Sequence, residues 1–197
     1  MSTDAFLALL VYAFVTSITP GPNNLMLMAS GANFGFRRTI PHMLGIGVGF
    51  VAMCFLVGLG LAGVILTVPA AEWALKILAT AYMLWLAWKI AQSAPPAEGK
   101  AQGVPQTFLQ AAAFQWVNPK AWAMAVSATA LYAPDRSLLA LAIVAAVFGA
   151  VNLPSVSVWT VIGQQLRRVL TNPTRLRLFN GVMAVLLVAS LIPVLRM

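Results

Sequence analysis

Residues 5–30 read AFLALLVYAFVTSITPGPNNLMLMAS, an apolar run interrupted near its middle by Thr19-Pro20-Gly21-Pro22-Asn23-Asn24. Crossing ~30 Å of hydrocarbon takes ~20 residues of helix, so the run is long enough to span a membrane. Pro20 and Pro22 have no N–H, which strips the carbonyls of Thr16 and Ile18 of their helical partners. Gly21 between them lets the chain turn. Inside a bilayer such a break is tolerated only where protein or a watery cavity receives the freed groups. The stretch therefore predicts a broken membrane span. The bland alternative is a helix merely kinked by its prolines.

The rest of the chain agrees with a membrane setting. Of 197 residues, 61% are hydrophobic and 8% charged, against ~25% charged in a soluble domain. Six apolar stretches can be read, at about 5–30, 40–66, 71–91, 107–131, 137–163 and 178–195. With no alternating strand pattern, the expected fold is an all-α polytopic membrane protein of six transmembrane helices. Met1–Phe14 lacks a basic leading segment and its apolar run continues past it, unlike a cleavable signal peptide. A single cysteine, Cys54, and a single histidine, His42, exclude a disulfide framework, a multi-cysteine metal site and paired-histidine zinc chemistry. The twelve bases are scattered over an apolar chain, which argues against nucleic acid as a partner.

Those bases set an orientation. Arg37, Arg38, Lys89, Lys100, Arg167, Arg168, Arg175 and Arg177 fall in alternate loops; Lys76, Arg136 and Arg196, with Asp4, Glu72 and Asp135, fall on the other side. The first set belongs in the cytoplasm, which places both termini outside, in the periplasm of a bacterial-type inner membrane. The positive charge is then topology and attraction to anionic lipid.

Span four carries a second interruption, Gln115-Trp116-Val117-Asn118-Pro119-Lys120, where Pro119 is expected to free the carbonyl of Gln115. The chain reads as one membrane domain over 1–197. Its first repeat covers about 1–96, a Pro/Gly-rich linker about 92–106 (Pro95, Pro96, Gly99, Gly103, Pro105), and its second repeat about 105–197. Each half opens with a proline-broken span followed by a small-residue helix, Gly45 and Gly49 in one, Ala145 and Gly149 in the other. Three spans per half force opposite insertion. That is a 3+3 inverted repeat, the signature of a transporter with its substrate site at the two breaks. The expected substrate-binding and translocation residues are Thr19, Pro20, Gly21, Pro22, Asn23, Asn24, Asn118, Pro119, Lys120 and Asn152.

A zwitterion needs partners of both signs. Half-helix N-termini at Asn23, Asn24 and Lys120 suit a carboxylate, and the freed carbonyls of Thr16, Ile18 and Gln115 suit an ammonium. Asn23, Asn24 and Asn118 serve either end. With no mid-membrane carboxylate, neutral amino acids are favoured over lysine or arginine. Lys120 is the sole ionisable residue near mid-bilayer, where a charge costs at least ~2.5–3.5 kcal/mol. It reads as a carboxylate partner or a proton carrier, or else as a side chain that snorkels or secures carbonyls of the first break. Asn152 and Pro154 line the pathway or kink span five for packing. His42, beside Pro41, reads as an interfacial residue or a proton carrier. Trp116 and Trp122 gate, stack on substrate or pack the core, whereas Trp73, Trp85 and Trp88 suit an interfacial belt. Gly45-x-x-x-Gly49 fits an intrachain seam or a homo-oligomer seam equally.

The T-P-G-P-N-N run, with Gly35-Phe36-Arg37 and the Gly45/Gly49 helix, resembles the LysE/RhtB amino-acid exporter family. Ala81-Tyr82-Met83-Leu84-Trp85-Leu86-Ala87-Trp88-Lys89 is similar to that family's third-span ending, and Phe114 to Trp122 to its N-P-K-A motif. The doubled asparagine and the W-L-A-W-K-I stretch are most similar to the cysteine/O-acetylserine export subgroup. Two stretches depart from the family pattern: Tyr132-Ala133-Pro134-Asp135 replaces a frequent P-Q-F segment, and Gly49–Met53 lacks the acidic residue many members place in span two. The resemblance implies outward transport of neutral amino acids or derivatives (cysteine, O-acetylserine, homoserine, threonine) by proton antiport, with no bound cofactor. A passive channel or an exporter of another small metabolite is the alternative. An intramembrane enzyme would need clustered carboxylates or a Ser–His pair at one depth, and metal export would need intramembrane carboxylates, imidazoles or thiolates. Neither pattern is present.

Overall fold

Helix starts follow the local chemistry. In the computed structural model, which describes residues 1–63, 67–93 and 104–192, Ser2 caps α1 (Thr3–Ile18) by accepting from the Ala5 N–H at 3.2 Å. Proline occupies the first turn of α2 (Pro22–Phe34), where its missing N–H costs nothing. Helix α3 (Phe36–Leu56) runs on into a π-helical turn, Val57–Leu61, and α4 spans Pro69–Ala91. A Thr107/Gln110 capping box opens the short α5 (Phe108–Phe114). A 3-10 turn, Gln115–Val117, then leads to α6 (Pro119–Tyr132). Ser137 caps α7 (Leu138–Arg167), and Asn172 caps α8 (Pro173–Ala189) by accepting from the Thr174 N–H at 2.8 Å.

The fold is all-helical over the described residues. Of the six expected spans, α3 with its π turn, α4 and α7 are long and apolar enough to cross a membrane, and the bent pair α1–α2 makes a fourth. Expected span 5–30 is thus two helices meeting at 54°. Expected span 107–131 is split among α5, the 3-10 turn and α6, and expected span 178–195 corresponds to an α8 of 17 residues. Most of the expected linker, residues 94–103 with Lys100, lies outside the described residues, as does Arg196.

The bend decides what is central. Only Leu9, Ala13 and Ser17 of α1 are buried, whereas nine of the 13 residues of α2 are. Leu7, Val11 and Phe14 turn an apolar face outward from α1, as a lipid boundary requires. Helix α2 lies against the long α7, which also packs on α1, α3 and α6. The α2–α7 approach is set by glycine: a Cβ on Gly31 would collide with the Thr160 carbonyl, and one on Gly163 with that of Met28. Gly45 and Gly49 make the equivalent seam between α3 and α5, since a Cβ on Gly49 would sit 2.6 Å from the Cα of Ala112. Of the two seams open to Gly45-x-x-x-Gly49, the fold uses the intrachain one. Phe50 of α3 and Phe148 of α7 meet edge to face at 5.2 Å beneath the first break, with Cys54 buried in the same cluster.

Candidate functional site

At the first break, every carbonyl deprived of its helical partner has found a side chain. Thr19 Oγ1 donates to the Thr16 carbonyl at 3.1 Å, and Asn24 Nδ2 donates to the carbonyls of Ser17 and Thr19 at 2.8 and 2.7 Å. The indole N–H of Trp159, from α7, donates to the Ile18 carbonyl at 2.9 Å. The carbonyls of Thr16 and Ile18, expected to be open for a substrate ammonium, are therefore occupied. Burying such groups unpaired would cost ~1–3 kcal/mol each.

Gly21 acts differently from the expectation as well. Its φ of −178° and ψ of 177° are extended and open to any residue. A Cβ at this position would lie 2.7 Å from Cδ of the Lys120 side chain, which would have to shift to admit it. That side chain crosses the gap between the two breaks. Lys120 Nζ donates to the Thr19 carbonyl at 2.7 Å, to Thr19 Oγ1 at 2.9 Å and to the Pro20 carbonyl at 3.4 Å. The reading in which Lys120 secures carbonyls of the first break describes this geometry.

The second break closes on itself. Rather than being freed by Pro119, the Gln115 carbonyl accepts from the Asn118 N–H at 3.3 Å in the 3-10 turn, so it is no ammonium ligand here. Asn118 Oδ1 caps α6 by accepting from the Lys120 N–H at 3.1 Å. The Trp122 indole donates to the Trp116 carbonyl at 2.8 Å, and the two rings stack edge to face at 6.2 Å. This pair staples the break from the side.

Two amides then join the breaks. Asn23 Nδ2 donates to Gln115 Oε1 at 2.8 Å, and Gln115 Nε2 donates back to Asn23 Oδ1 at 3.2 Å. Asn152, from α7, donates to Ser17 Oγ at 3.4 Å, while its own Oδ1 is buried without a partner among the described residues. Gly21, Asn23, Asn24, Asn118, Lys120 and Asn152 surround one small cavity of about 20 Å³. Pro22 and Pro119 stand at the first turns of the two half-helices that point into it. Thr19 and Pro20 supply the oxygens that hold Lys120.

That volume admits about one water. Even the smallest amino acid has five heavy atoms, so the site is closed in this conformation. No carboxylate lines it among the described residues. The first N–H groups of α2, at Asn23 and Asn24, lack partners within their helix, as helix starts do, and they carry the positive end of its dipole.

Two contributors escaped the sequence reading. The Gln115 side chain was passed over for its carbonyl, although a buried amide in a membrane span is itself a signal. Trp159 gave none, because its depth relative to Ile18 depends on how α7 packs. His42 is 1% exposed within α3, and neither ring nitrogen has a partner among the described residues.

The LysE type translocator family model matches residues 14–191. A cysteine/O-acetylserine efflux protein of Escherichia coli (strain K12) is 36% identical over 121 residues, 61% of each chain. A protein of the same name from Shigella sonnei (strain Ss046) gives the same figures, and one from Shigella flexneri is 37% identical over 110 residues, 55% of each chain. The chain thus spans about three fifths of the length of the curated relatives it matches. No solved structure gives a significant match.

Proposed function

Since the chain belongs to the LysE-type translocator family, we propose that it exports neutral amino acids or their derivatives across a bacterial-type inner membrane. The relatives' printed activity makes cysteine and O-acetylserine the first substrates to try, with homoserine and threonine beside them. The observation that carries the reading is the clasp between the two helix breaks, where Asn23 meets Gln115 and Lys120 meets Thr19 around a polar cavity.

The chemistry is an exchange of partners. A substrate ammonium takes over the Thr19 and Pro20 carbonyls that now hold Lys120. The substrate carboxylate pairs with the released Lys120 and with the N–H groups at the start of α2. Lys120 is also the group at this site able to carry a proton, so proton antiport is routed through it. The absence of a lining carboxylate disfavours a cationic side chain on the substrate.

Six spans in two inverted halves are the architecture proposed for this exchange. Exchanging α1/α2 with α5/α6, α3 with α7 and α4 with α8 returns the main helix pairings. Helix α3 packs on α5 and α6, α7 packs on α1 and α2, and α4 packs on α8. This cross-packing supports rocking of one half against the other around the breaks. At ~26 Å, α8 is slightly short for a bilayer, a mismatch that local thinning covers. The basic ends also gather: the Phe36 N–H donates to Gln164 Oε1 at 2.6 Å, and Asn180 Nδ2 donates to the Ser93 carbonyl at 2.8 Å. Arg37, Arg38, Lys89, Arg167, Arg175 and Arg177 therefore lie toward one end, proposed as the cytoplasmic one, with both termini outside.

Inside-out vesicles containing the protein test the proposal through uptake of labelled cysteine, O-acetylserine, homoserine, threonine, leucine and lysine, with and without a proton gradient. Gradient-driven uptake of a neutral member and exclusion of lysine is the expected result. Gradient-insensitive equilibration makes the protein a facilitator and removes Lys120 as coupler. No flux of any compound ends the amino-acid reading.

A further inference from the structure

Four aromatic rings from four helices form a chain of contacts that begins at the small cavity between the breaks. Phe50 of α3, which lines that cavity, meets Phe148 of α7 at 5.2 Å with 78° between the ring planes. Phe148 meets Tyr12 of α1 at 6.2 Å and 88°, and Tyr12 meets Tyr132, the last residue of α6, at 5.8 Å. The first two contacts are edge to face, so the positive rim of one ring meets the negative face of the next. Phe50 and Phe148 are buried, whereas Tyr12 and Tyr132 are partly exposed. The chain of rings therefore runs from the cavity to the surface.

It leads away from the basic end. Helix α2 runs from the first break to Gly35, where a Cβ would lie 3.8 Å from the Arg167 guanidinium; α1 reaches the same break from the other direction. Phe148 stands one turn, ~6 Å, before the cavity residue Asn152, toward the Leu138 end of α7 and away from Arg167. Tyr132 ends α6 about 18 Å of helix beyond Lys120. Buried residues around the rings include Ala13, Ala125, Ala128 and Ala145. Their short side chains leave the rings to supply the bulk that fills this route.

Each of the three contacts joins the first half of the chain to the second, since Tyr12 and Phe50 belong to one half and Phe148 and Tyr132 to the other. Rocking one half against the other therefore loosens all three together, and ring contacts permit this because each is individually weak. We propose that the four rings are the gate between the site at the breaks and the membrane face opposite the basic residues. Phe148, gripped by a ring on either side, is the bolt. Closed, the gate keeps water and solutes on that face out of the cavity. Open, it is the exit for a substrate leaving Lys120 and Thr19. The role as an exit rests on the transport reading.

Cys54 is the only cysteine in the chain, so Ser17→Cys in a Cys54→Ala background places a single thiol at the cavity, behind the rings. Full-length protein in right-side-out and inside-out vesicles would be treated with sulfonatoethyl methanethiosulfonate, a thiol reagent that does not cross the bilayer. Labelling from the face opposite the basic residues should be slow, and Phe148→Ala should raise its rate roughly tenfold or more, as for two lost ring contacts. Tyr12→Leu, at the partly exposed end, should raise it too and serves if Phe148→Ala does not fold. Leu187→Ala empties a buried position of α8 in a separate cluster and should leave the rate unchanged. Flux is measured in the same variants with Ser17 and Cys54 intact. Unchanged labelling in folded ring variants of a transporting protein refutes the gate and leaves transport standing. An equal rise in Leu187→Ala, or a rise from the basic face alone, also refutes it. Faster labelling without any flux upholds the barrier and defeats the transport reading, and absence of both defeats the two together.

Discussion

Replacing Lys120 by methionine removes one ammonium and three contacts, while a side chain of similar length and shape remains. The structure sets how much stability should go with them. Of the three acceptors, the Thr19 carbonyl keeps its bond from Asn24 at 2.7 Å, and Thr19 Oγ1 still donates to the Thr16 carbonyl. Only the Pro20 carbonyl, held at 3.4 Å, is left bare. Thr19 and Pro20 are exposed at the edge of the bundle, so the desolvation penalty falls at the low end. The expected loss is about 1.5 kcal/mol, for one charge-assisted contact net of its surroundings. For a chain of this size that lowers Tm by about 3–6 °C, readable by thermal unfolding in detergent, with membrane insertion intact. Transport should suffer far more. If Lys120 both pairs with the substrate carboxylate and releases the carbonyls for the ammonium, flux in vesicles should fall by roughly a hundredfold or more, equivalent to two interactions of about 1.4 kcal/mol each. A structural brace alone would predict flux reduced only in proportion to the folded fraction. Folded Lys120→Met protein with undiminished uptake would refute the exchange mechanism.

Gly21→Ala approaches the same latch from the other side: its Cβ would stand 2.7 Å from Lys120 Cδ, so the ammonium shifts and initial uptake should drop roughly tenfold, by about 1.4 kcal/mol, at normal expression. In a double-mutant cycle, Asn23→Ala and Gln115→Ala should couple by about 1 kcal/mol in thermal stability, in the range measured for interhelical hydrogen bonds in membranes; strict additivity would dissolve the clasp. Gly163→Ala drives a methyl into the Met28 carbonyl and should cost about 1–3 kcal/mol, seen as a lowered Tm. Gly47→Ala, with nothing within 4 Å of the added Cβ, should be neutral or stabilising; equal effects at the two positions would mean the α2–α7 seam is looser than described.

Composition and local chemistry determined the class of this protein. With 8% charged residues the chain has no means of covering a water-facing surface, and Pro20, Pro22 and Pro119 favour helix interruptions because a missing N–H and a bulky ring are local properties, although Pro41 and Pro154 sit inside the continuous helices α3 and α7. Of the ten pathway residues expected from sequence, Gly21, Asn23, Asn24, Asn118, Lys120 and Asn152 line one cavity. Their partners were decided elsewhere. Which carbonyl stays open depends on what packs over it: Trp159 arrives at Ile18 from 141 residues away and Lys120 at Thr19 from 101, and no spacing rule encodes such distances. The crowding at position 21 likewise arises from a neighbouring lysine and not from its own backbone angles. The burial of His42 inside the bundle likewise comes from packing, which its position beside Pro41 does not reveal. Sequence carries the interruptions, each a property of a few bonded residues; only the tertiary structure assigns the donors that satisfy them, because burial and hydrogen bonding are properties of the packed assembly.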